Sequence, residues 1–397
     1  MLSAIFRYIT TFSLLWYGGT ISFLYKGLKS LKPADKAKNN RFSIVVAARN
    51  EEKHIGACLD SLLRQTIAAE RFEIIVVNDR STDATAEIIQ TCMQHDSRIR
   101  LVTITETPEG LSPKKYAVSR GVIQARNDII VFTDADCTVP PTWLDTIDRY
   151  FTPETGLVQG ITSYERLPGM NRLFYALQSI DFISHGIVAA SAIGAKLPIN
   201  SNANNFAFRR EAFNEVGGTT GKIGHVVSGD DDLLLQKIWK NGKWKIAFMA
   251  DPKGAVTTRP TETMRELFGQ RARWGSKTVH YSVKQVLLLA GVFLFYCVLA
   301  VSLLLSLFSR NFRIRAIRLL AAKCIGEAVL MFPGLKLFGK RQLIPCIPLA
   351  SLLQLPLVLG AVLVGIFGKF TWKDQTFSRI ITTTSTAQSP TSDPKQK

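Results

Sequence analysis

Three long stretches without a charged residue constrain the fold of this chain more than any other feature. They cover residues 8–25, 286–308 and 342–368. Each approaches or exceeds the roughly 18–20 apolar residues that cross the core of a bilayer. We therefore expect an integral membrane protein, with an uncleaved transmembrane anchor at residues 1–26 and a C-terminal transmembrane region at residues 283–370.

The formal charge of +18 over 397 residues is typical either of nucleic-acid binding or of an anionic membrane surface. Because apolar spans are present and no soluble basic patch is interleaved with aromatic residues, we expect membrane lipids as partners and no nucleic acid. Basic residues concentrate at 26–41, directly after the first span. By the positive-inside bias they place the following domain in the cytoplasm, most simply at a bacterial inner membrane.

A fourth apolar stretch, residues 319–335, contains Lys323 and Glu327, one helical turn apart and able to pair. It predicts either a transmembrane helix or a re-entrant or interfacial segment, so the C-terminal region holds two or three helices. The side of the membrane on which the C-terminus lies stays open. The Ser-, Thr- and Pro-rich tail at residues 371–397 is expected to be disordered.

The segment between the first two spans, residues 40–260, has the pattern of an α/β domain. Four short, β-branched, almost wholly apolar runs lie at residues 42–48, 72–78, 99–105 and 128–134, with helical spacing between them. This alternation predicts a doubly wound, mostly parallel sheet. In such sheets ligands bind beyond the carboxyl ends of the strands.

Acidic residues follow these strands where a ligand is expected. Asp134 and Asp136, two apart in "TDADC", point to one side of an extended chain and suit Mg²⁺ or Mn²⁺ bound to a phosphorylated substrate, although a solvated turn has the same letters. Asp79 ends the second strand and can accept a hydrogen bond from a ribose or base. Glu51, after the first strand, is placed near a nucleobase, and Asp83 is either a ligand or a helix cap.

Three later motifs complete the set of candidate residues. Lys114 is free to meet a diphosphate or is a surface lysine. In "SGDDDLLLQ" one carboxylate can serve as a general base, with Asp230 preferred and Asp231 in reserve. Gln270, Arg273 and Trp274 share one face of an amphipathic helix at residues 261–282, which begins with capping-box spacing at "TMRE". That face can bind a sugar and a pyrophosphate, or it can lie at lipid headgroups.

The motifs "AARNEE", "VNDRSTD", "TDADC", "GDDDL" and "QRARW" occur in this order between the leading anchor and the trailing membrane helices. This order resembles the family 2 inverting glycosyltransferases of GT-A fold. Within that family it resembles the membrane-embedded branch of cellulose, hyaluronan and poly-N-acetylglucosamine synthases and ceramide glucosyltransferase. The likeness covers about residues 42–275 in motif and the remaining apolar segments in layout.

The resemblance implies a function. A metal-dependent transferase would move a sugar from a nucleoside-diphosphate sugar, most simply a UDP-sugar, to a hydroxyl of a glycan or lipid acceptor. A processive polysaccharide synthase and a non-catalytic scaffold that kept a nucleotide-sugar fold remain as alternatives.

It also assigns roles by position. Asp79 and Glu51 match the nucleotide-binding acids, and Asp134 and Asp136 match the D-x-D pair. Lys114 matches the lysine of a G-K-x-x-A-L-N stretch in which Pro113 and Ser119 replace Gly and Asn. Two further sets complete the match: Gln270, Arg273 and Trp274 as Q-x-x-R-W, and Asn204 and Asn205 at the acceptor site. "SGD" replaces the usual T-E-D, so the base lies at Asp230 or, one residue on, at Asp231.

Overall fold

The computed structural model describes residues 2–33, 36–219, 224, 229–276, 281–367, 369–372 and 375–378. Within these ranges the strands are β1 Phe42–Ala48, β2 Phe72–Asp79, β3 Ile99–Ile104, β4 Ile129–Asp134, β5 Thr155–Gly160, β6 Thr162–Tyr164, β7 Phe206–Arg209, β8 Lys245–Met249, β9 Val256–Thr258, β10 Lys369–Trp372 and β11 Gln375–Ser378. The helices are α1 Leu2–Lys29, α2 Ile55–Leu63, α3 Thr85–His95, α4 Pro113–Gln124, α5 Trp143–Asp148, α6 Arg172–Gly194, α7 Arg210–Glu215, α8 Asp232–Asn241, α9 Met264–Ser276, α10 Val283–Leu305, α11 Arg310–Leu337 and α12 Ile347–Phe367.

A seven-stranded sheet is the centre of the molecule, with strand order β3-β2-β1-β4-β7-β5-β8. The four strands predicted from the sequence pair in parallel, each within a residue or two of its predicted bounds. β7 runs antiparallel to both of its neighbours, so the sheet is mixed but mostly parallel. The predicted α/β fold class, with long apolar helices added to it, is confirmed.

The chain order reverses at β1, which lies between β2 and β4 in the sheet. A crevice opens at such a switch point, beyond the carboxyl ends of the strands. The register brings the motifs together there, because Ala47 lies opposite Asp134 and Ala48 lies opposite Asn78. The polar residues that follow β1, β2 and β4 therefore meet at one edge of the sheet.

Three described helices are long and apolar enough to cross a membrane: α6, α10, and a segment formed by α12 with the 3₁₀ turn before it, Arg341–Val364. The last two correspond to predicted spans. For α6, which the sequence did not single out, 61% of the apolar window is buried inside the protein, against 17% for Arg341–Val364. α1 and α11 are not among the three, and the predicted N-terminal anchor therefore stays a prediction.

The long helices and the sheet domain share one hydrophobic core. Side chains from α1, α6, β8, α11 and α12 form a single buried cluster that includes Leu28, Ile187, Phe248 and Leu335. α1 crosses α6 at two glycines, where a Cβ on Gly27 would lie 2.0 Å from the carbonyl oxygen of Ser191. The predicted Lys323–Glu327 pair is present within α11 at 2.5 Å.

The C-terminal tail differs in part from its prediction. β10 and β11 pair antiparallel, so residues 371–372 and 375–378 are strand where disorder was expected. In this pair Phe370 lies opposite Phe377. Aromatic and β-branched residues such as Phe370, Thr371 and Trp372 favour strands. The rest of the predicted tail lies outside the described residues, as do residues 277–280 of the predicted amphipathic helix.

One buried carboxylate attaches the segment before β1 to the domain. Asp148, at the end of α5, is fully buried and accepts hydrogen bonds from the backbone N–H groups of Lys38, Asn39 and Asn40 at 2.9–3.1 Å. It also pairs with Arg71 at 2.9 Å. The chain between α1 and the sheet is thus held by a charged group with no access to water.

We expect Asp148→Ala to destabilise the protein by about 3–5 kcal/mol, because it removes a buried carboxylate that accepts from Arg71 and from three backbone N–H groups. In a thermal melt of the detergent-solubilised full chain this corresponds to a fall of about 6–15 °C. Asp145→Ala, which removes an exposed ion pair with Arg149 on the same helix, is the matched control and should cost less than about 1 kcal/mol. Equal effects of the two substitutions would contradict this account.

Candidate active site

A cavity of about 640 Å³ opens at the switch point and is walled by the sheet edge and by α6, α9, α10 and α12. Ten of the site residues predicted from the sequence line it: Glu51, Asp79, Lys114, Asp134, Asp136, Asp230, Asp231, Gln270, Arg273 and Trp274. Six separate segments of the sequence therefore converge on one cavity.

The loops after β1 and β2 hold each other in place. Asn50, with a left-handed backbone (φ 54°), accepts the N–H of Thr82 at 2.9 Å. The backbone N–H of Glu51 donates to the hydroxyl of Thr85 at 2.8 Å. Asp83 bonds within these loops, to Thr85 and to the N–H of Glu52, and does not line the cavity. Asp83 thus holds the two loops together, and Ala84, not Asp83, is the N-cap residue of α3.

Lys114 connects two of the acidic motifs. Its Nζ lies 2.8 Å from Asp134 Oδ1 and 3.4 Å from Asp230 Oδ2. Pro113 begins α4, which projects the lysine from the first turn of the helix into the cavity. Burial alone would lower the pKa of Lys114, but the carboxylates of Asp134 and Asp230 raise it above its ordinary value. The ammonium group is therefore a fixed positive charge between them.

Negative charge at the sheet edge exceeds what this lysine offsets. Burial, with Asp134 and Glu51 nearby, raises the pKa of Asp136 to about 6. Among the described residues, no group of three His, Cys, Asp or Glu side chains forms a ready metal cage. Two crowded carboxylates with room beside them are nevertheless a donor set that fits Mg²⁺ or Mn²⁺, since these ions take one or two carboxylates and complete their shell with water and phosphate oxygens.

The three consecutive acids before α8 have different environments. Asp230 faces Lys114, and Asp231 caps the helix by accepting the backbone N–H of Asp232 at 2.7 Å. Asp232 is fully buried and accepts from the N–H of Ser201 and, at 2.9 Å, from the hydroxyl of Tyr281. Burial and Asp232 raise the pKa of Tyr281 well above its ordinary value, so the phenol stays a donor. Of the three, Asp230 is the acid that the ammonium group of Lys114 connects to Asp134.

α9 begins with the predicted capping box, in which Thr263 and Glu266 exchange hydrogen bonds of 3.2–3.3 Å.

Arg273 points to the acidic cluster. Burial lowers its pKa, although Asp230, Asp134 and Asp231 act in the opposite direction. Trp274 lies edge-on to His185, with ring centroids 5.4 Å apart.

The sequence did not identify Arg271, which sits between the predicted residues of the same helix. Its guanidinium donates to Asp181 of α6 at 2.6 Å, lies 4.2 Å from the Trp274 ring and donates to Gln270. Arg271 therefore fixes the orientation of the Q-x-x-R-W face. No local pattern could show this, because its acidic partner is 90 residues away.

The two adjacent asparagines have different places. Asn204 lines the cavity, as predicted. Asn205 was placed at the acceptor site, and that assignment is wrong. Its side chain is buried, donates to the carbonyls of Ile161 and Gly254 at 2.8 Å and accepts from Trp143 at 3.0 Å. These three hydrogen bonds hold the Asn205 side chain within the core of the domain.

Several cavity-lining side chains carry buried polar atoms that have no hydrogen-bond partner within the described part of the chain. They are Gln159 Oε1, Thr162 Oγ1, Asn200 Oδ1, Ser201 Oγ and an Arg271 nitrogen. A buried polar atom left unpaired costs about 1–3 kcal/mol. Water or a hydroxyl-bearing ligand in the cavity can hydrogen-bond to these atoms.

The different environments of the three acids predict different effects on stability. Asp232→Ala removes the acceptor of two buried donors and should lower the free energy of unfolding by about 2–5 kcal/mol. Asp230→Ala leaves Lys114 paired with Asp134 and should change it by less than about 1 kcal/mol. Thermal melts of the two variants in detergent measure the difference. A large loss of stability in Asp230→Ala would contradict its assignment as a group poised for chemistry.

Comparisons with known proteins agree with this geometry. Residues 43–217 match the model of Glycosyl transferase family 2. Beta-monoglucosyldiacylglycerol synthase from Synechocystis is 27% identical over 241 residues, which are 58% of this chain and 46% of the synthase. Glycosyltransferase GlyG from Streptococcus pneumoniae is 26% identical over 57% of this chain and 73% of its own length. Across three relatives, the synthase included, the chain spans 32–54% of their length.

A solved structure has a similar fold. The mannosyltransferase PcManGT from Pyrobaculum calidifontis, in complex with GDP-Man and Mn²⁺, superposes with a TM-score of 0.54 at 18% identity, covering 87% of this chain and 99% of that one. At this identity the likeness shows the fold alone. Residues 43–217 are thus similar to a glycosyltransferase family 2 domain, and the mixed sheet has a GT-A-like fold.

Proposed function

We propose that the protein is a membrane-bound inverting glycosyltransferase that moves a sugar from a nucleoside-diphosphate sugar to an acceptor hydroxyl. The observation that carries the proposal is the Lys114 bridge. The ammonium group of Lys114 contacts both Asp134, which belongs to the D-x-D pair, and Asp230, the proposed base. All three side chains line a single cavity. A displacement at an anomeric carbon needs a leaving-group site and a base that close to each other.

The donor would bind at the sheet edge. Asp79 and Glu51, at the ends of β2 and β1, would contact the nucleoside. Asp134 and Asp136 would hold Mg²⁺ or Mn²⁺, whose contribution when bound is to offset negative charge on the diphosphate. Lys114 and Arg273 would bind the diphosphate oxygens and stabilise the charge that builds as the bond to the sugar breaks. The family match, and the Mn²⁺ and GDP-Man in the PcManGT complex, support this choice of ligands.

Asp230 would accept the proton of the attacking hydroxyl. Asp231 caps a helix and Asp232 is occupied by Ser201 and Tyr281, which leaves the first acid of the run for chemistry. Gln270 and Trp274 would position the sugar against α9, with Arg271 holding that face in place. The acceptor oxygen then attacks from the side opposite the diphosphate, so the anomeric configuration inverts.

We place this reaction at a membrane, with the sheet domain in the cytoplasm. α10 and the Arg341–Val364 segment have the length and composition of spans. On α1, the large apolar side chains of Tyr8, Phe12 and Leu15 are 53–77% exposed, a surface that is stable against lipid and costly in water. Basic residues Lys26 and Lys29 at the end of α1 fit the cytoplasmic face.

Two other functions remain to be separated from this one by experiment. A processive polysaccharide synthase would use the same chemistry but elongate a chain. A non-catalytic scaffold would keep the fold without turnover. One relative is named Beta-monoglucosyldiacylglycerol synthase, which favours single transfer to a lipid over elongation.

We expect the detergent-purified full chain, given Mg²⁺ or Mn²⁺, native lipid extract and a panel of UDP- and GDP-sugars, to release nucleoside diphosphate from one donor. Asp230→Asn should lower kcat by about 10²–10⁴-fold, the usual contribution of a general base. The donor KM should change little, because Asp230 is placed on the acceptor side.

Asp83→Asn, an acid in the same region outside the cavity, is the control and should keep the wild-type rate. Full activity in Asp230→Asn with loss in Asp231→Asn would move the base by one residue. No release from any donor by folded protein would contradict the proposal and favour the scaffold.

Metal binding can be measured separately from turnover. We expect Mn²⁺, titrated into the protein with UDP and followed by electron paramagnetic resonance, to bind at one site. Asp136→Asn should weaken it by roughly tenfold or more, since even an outer-shell partner is worth about 10–100-fold in metal affinity. Unchanged Mn²⁺ affinity in Asp136→Asn, with Asp83→Asn as the reference, would show that this carboxylate is not a ligand.

A further inference from the structure

The cavity does not end at the charged cluster but continues along α12. Its lining there consists of Gln354, Leu357, Val358, Ala361 and Val362. The spacing i, i+3, i+4, i+7, i+8 places these residues on one face of the helix. We call this face the α12 stripe. Leu289 of α10 also lines the cavity, so the additional space has a predominantly aliphatic wall.

The α12 stripe begins close to the chemistry. α9 supplies Arg273 to the acidic cluster, and two residues later Gly275 lies against α12. A Cβ at Gly275 would be 3.4 Å from the carbonyl oxygen of Ala361 and 3.7 Å from the Cα of Val362. Less than one turn of α9 therefore separates the side chain beside Asp230 from the aliphatic wall.

The opposite face of α12 is also apolar and is exposed. Leu349, Leu352 and Leu363 are 40–50% exposed, and they lie roughly half a turn around the helix from the stripe. A helix that is apolar on both faces is stable when both faces meet hydrocarbon. One helix thus separates the cavity from the proposed bilayer.

The stripe contains a single polar residue, Gln354, whose orientation is fixed. Its Oε1 accepts from Lys323 at 3.2 Å and from the hydroxyl of Tyr296 at 2.8 Å. A lysine can donate only, so the oxygen must face it. The amide NH₂ is then the group that Gln354 can offer to a ligand oxygen, such as an ester or ether oxygen or a hydroxyl.

The same cavity contains the unpartnered polar atoms already described. Gln159 and Thr162 are nearly inaccessible, and within the described residues their side-chain oxygens have no hydrogen-bond partner. A hydroxylated group would satisfy them. The cavity therefore combines charged groups, unpartnered polar atoms and an aliphatic wall.

We propose that the acceptor is a hydroxyl-bearing membrane lipid whose head group reaches Asp230 and whose hydrocarbon chain lies along the α12 stripe. This inference rests on the proposed glycosyl transfer and names its acceptor class. The lipid oxygen forms a bond to the anomeric carbon, the bond from that carbon to the diphosphate oxygen breaks, and its electron pair leaves with the diphosphate. The hydroxyl proton passes to Asp230.

A growing glycan fits this part of the cavity less well. Sugar rings are bound in proteins by flat aromatic faces and by donors to their hydroxyls. The α12 stripe has four aliphatic side chains and one amide. Aliphatic burial contributes about 25 cal/mol per Å² with an alkyl chain, and it contributes nothing comparable with a hydrated sugar.

The test uses the full chain in vesicles of dioleoylphosphatidylcholine with the donor identified by nucleotide release. Three amphiphiles serve as acceptor probes: dioleoylglycerol, oleyl alcohol and dodecyl glucoside. Glycerol is the water-soluble counterpart of dioleoylglycerol, and glucose is that of dodecyl glucoside. We expect radiolabelled sugar to enter the organic phase with at least one amphiphile, at a rate roughly tenfold or more above its soluble counterpart.

Leu357→Trp fills the stripe and should raise the KM for that amphiphile by about tenfold, with a smaller effect on kcat, because one to two kcal/mol of chain burial is worth that factor. Leu352→Trp places the same bulk on the outer face and should leave the KM unchanged. Binding of UDP, measured by calorimetry, reports whether each variant is folded.

The remaining outcomes each overturn the inference. Nucleotide release with labelled sugar in soluble acceptors alone, or in a polymer, excludes a lipid acceptor while the transferase stands. Equal effects of Leu357→Trp and Leu352→Trp exclude the α12 stripe as the path of the chain. No release from any donor removes the transferase itself, and the acceptor class with it.

Discussion

Crowding of carboxylates at one edge of a parallel sheet is the constraint on which the rest of the site depends. Asp134, Asp136 and Asp230 approach each other in a partly dry cavity, where like charges repel more strongly than in water. Lys114 and Arg273 offset part of this charge. The arrangement is costly for a protein that only folds, and it is useful to one that must bind a cation and a diphosphate in the same place.

The sheet alone does not complete this cavity. Its remaining walls come from α6, α9, α10 and α12, and of these α6, α10 and α12 contribute to a hydrophobic core shared with the sheet domain. α9 is the connection between the two parts, since one of its faces carries Arg273 to the acids and its last turn packs on α12 through Gly275. α9 thereby brings the aliphatic α12 stripe close to the acidic cluster.

Much of this could be predicted from sequence because it is encoded locally. Four of the seven strands of the sheet appear as short β-branched runs, the start of α9 as a Thr–Glu capping box, and Lys323–Glu327 as an i, i+4 pair. Their periodicities are properties of a few adjacent residues. The convergence of the motifs followed from topology, since parallel strands end at the same edge.

What could not be predicted depends on distant partners. The antiparallel β7, the Arg271–Asp181 pair and the Tyr281–Asp232 hydrogen bond join residues far apart in the chain. The same limitation made Asn205 look like its neighbour Asn204, although one is tied into the core and the other faces the cavity. It also meant that the sequence could not distinguish Asp230, Asp231 and Asp232. In the structure Asp230 contacts Lys114 in the cavity, Asp231 caps α8, and Asp232 is a buried hydrogen-bond acceptor.

The anomeric configuration of the product tests the central claim most directly. From an α-linked donor sugar of the gluco or galacto series, a single displacement with Asp230 as base gives a β-glycoside. In the proton NMR spectrum its anomeric proton shows a large trans-diaxial coupling. An α-linked product with a small coupling would mean retention, and would contradict a mechanism in which this cavity holds donor, metal and base for one in-line attack.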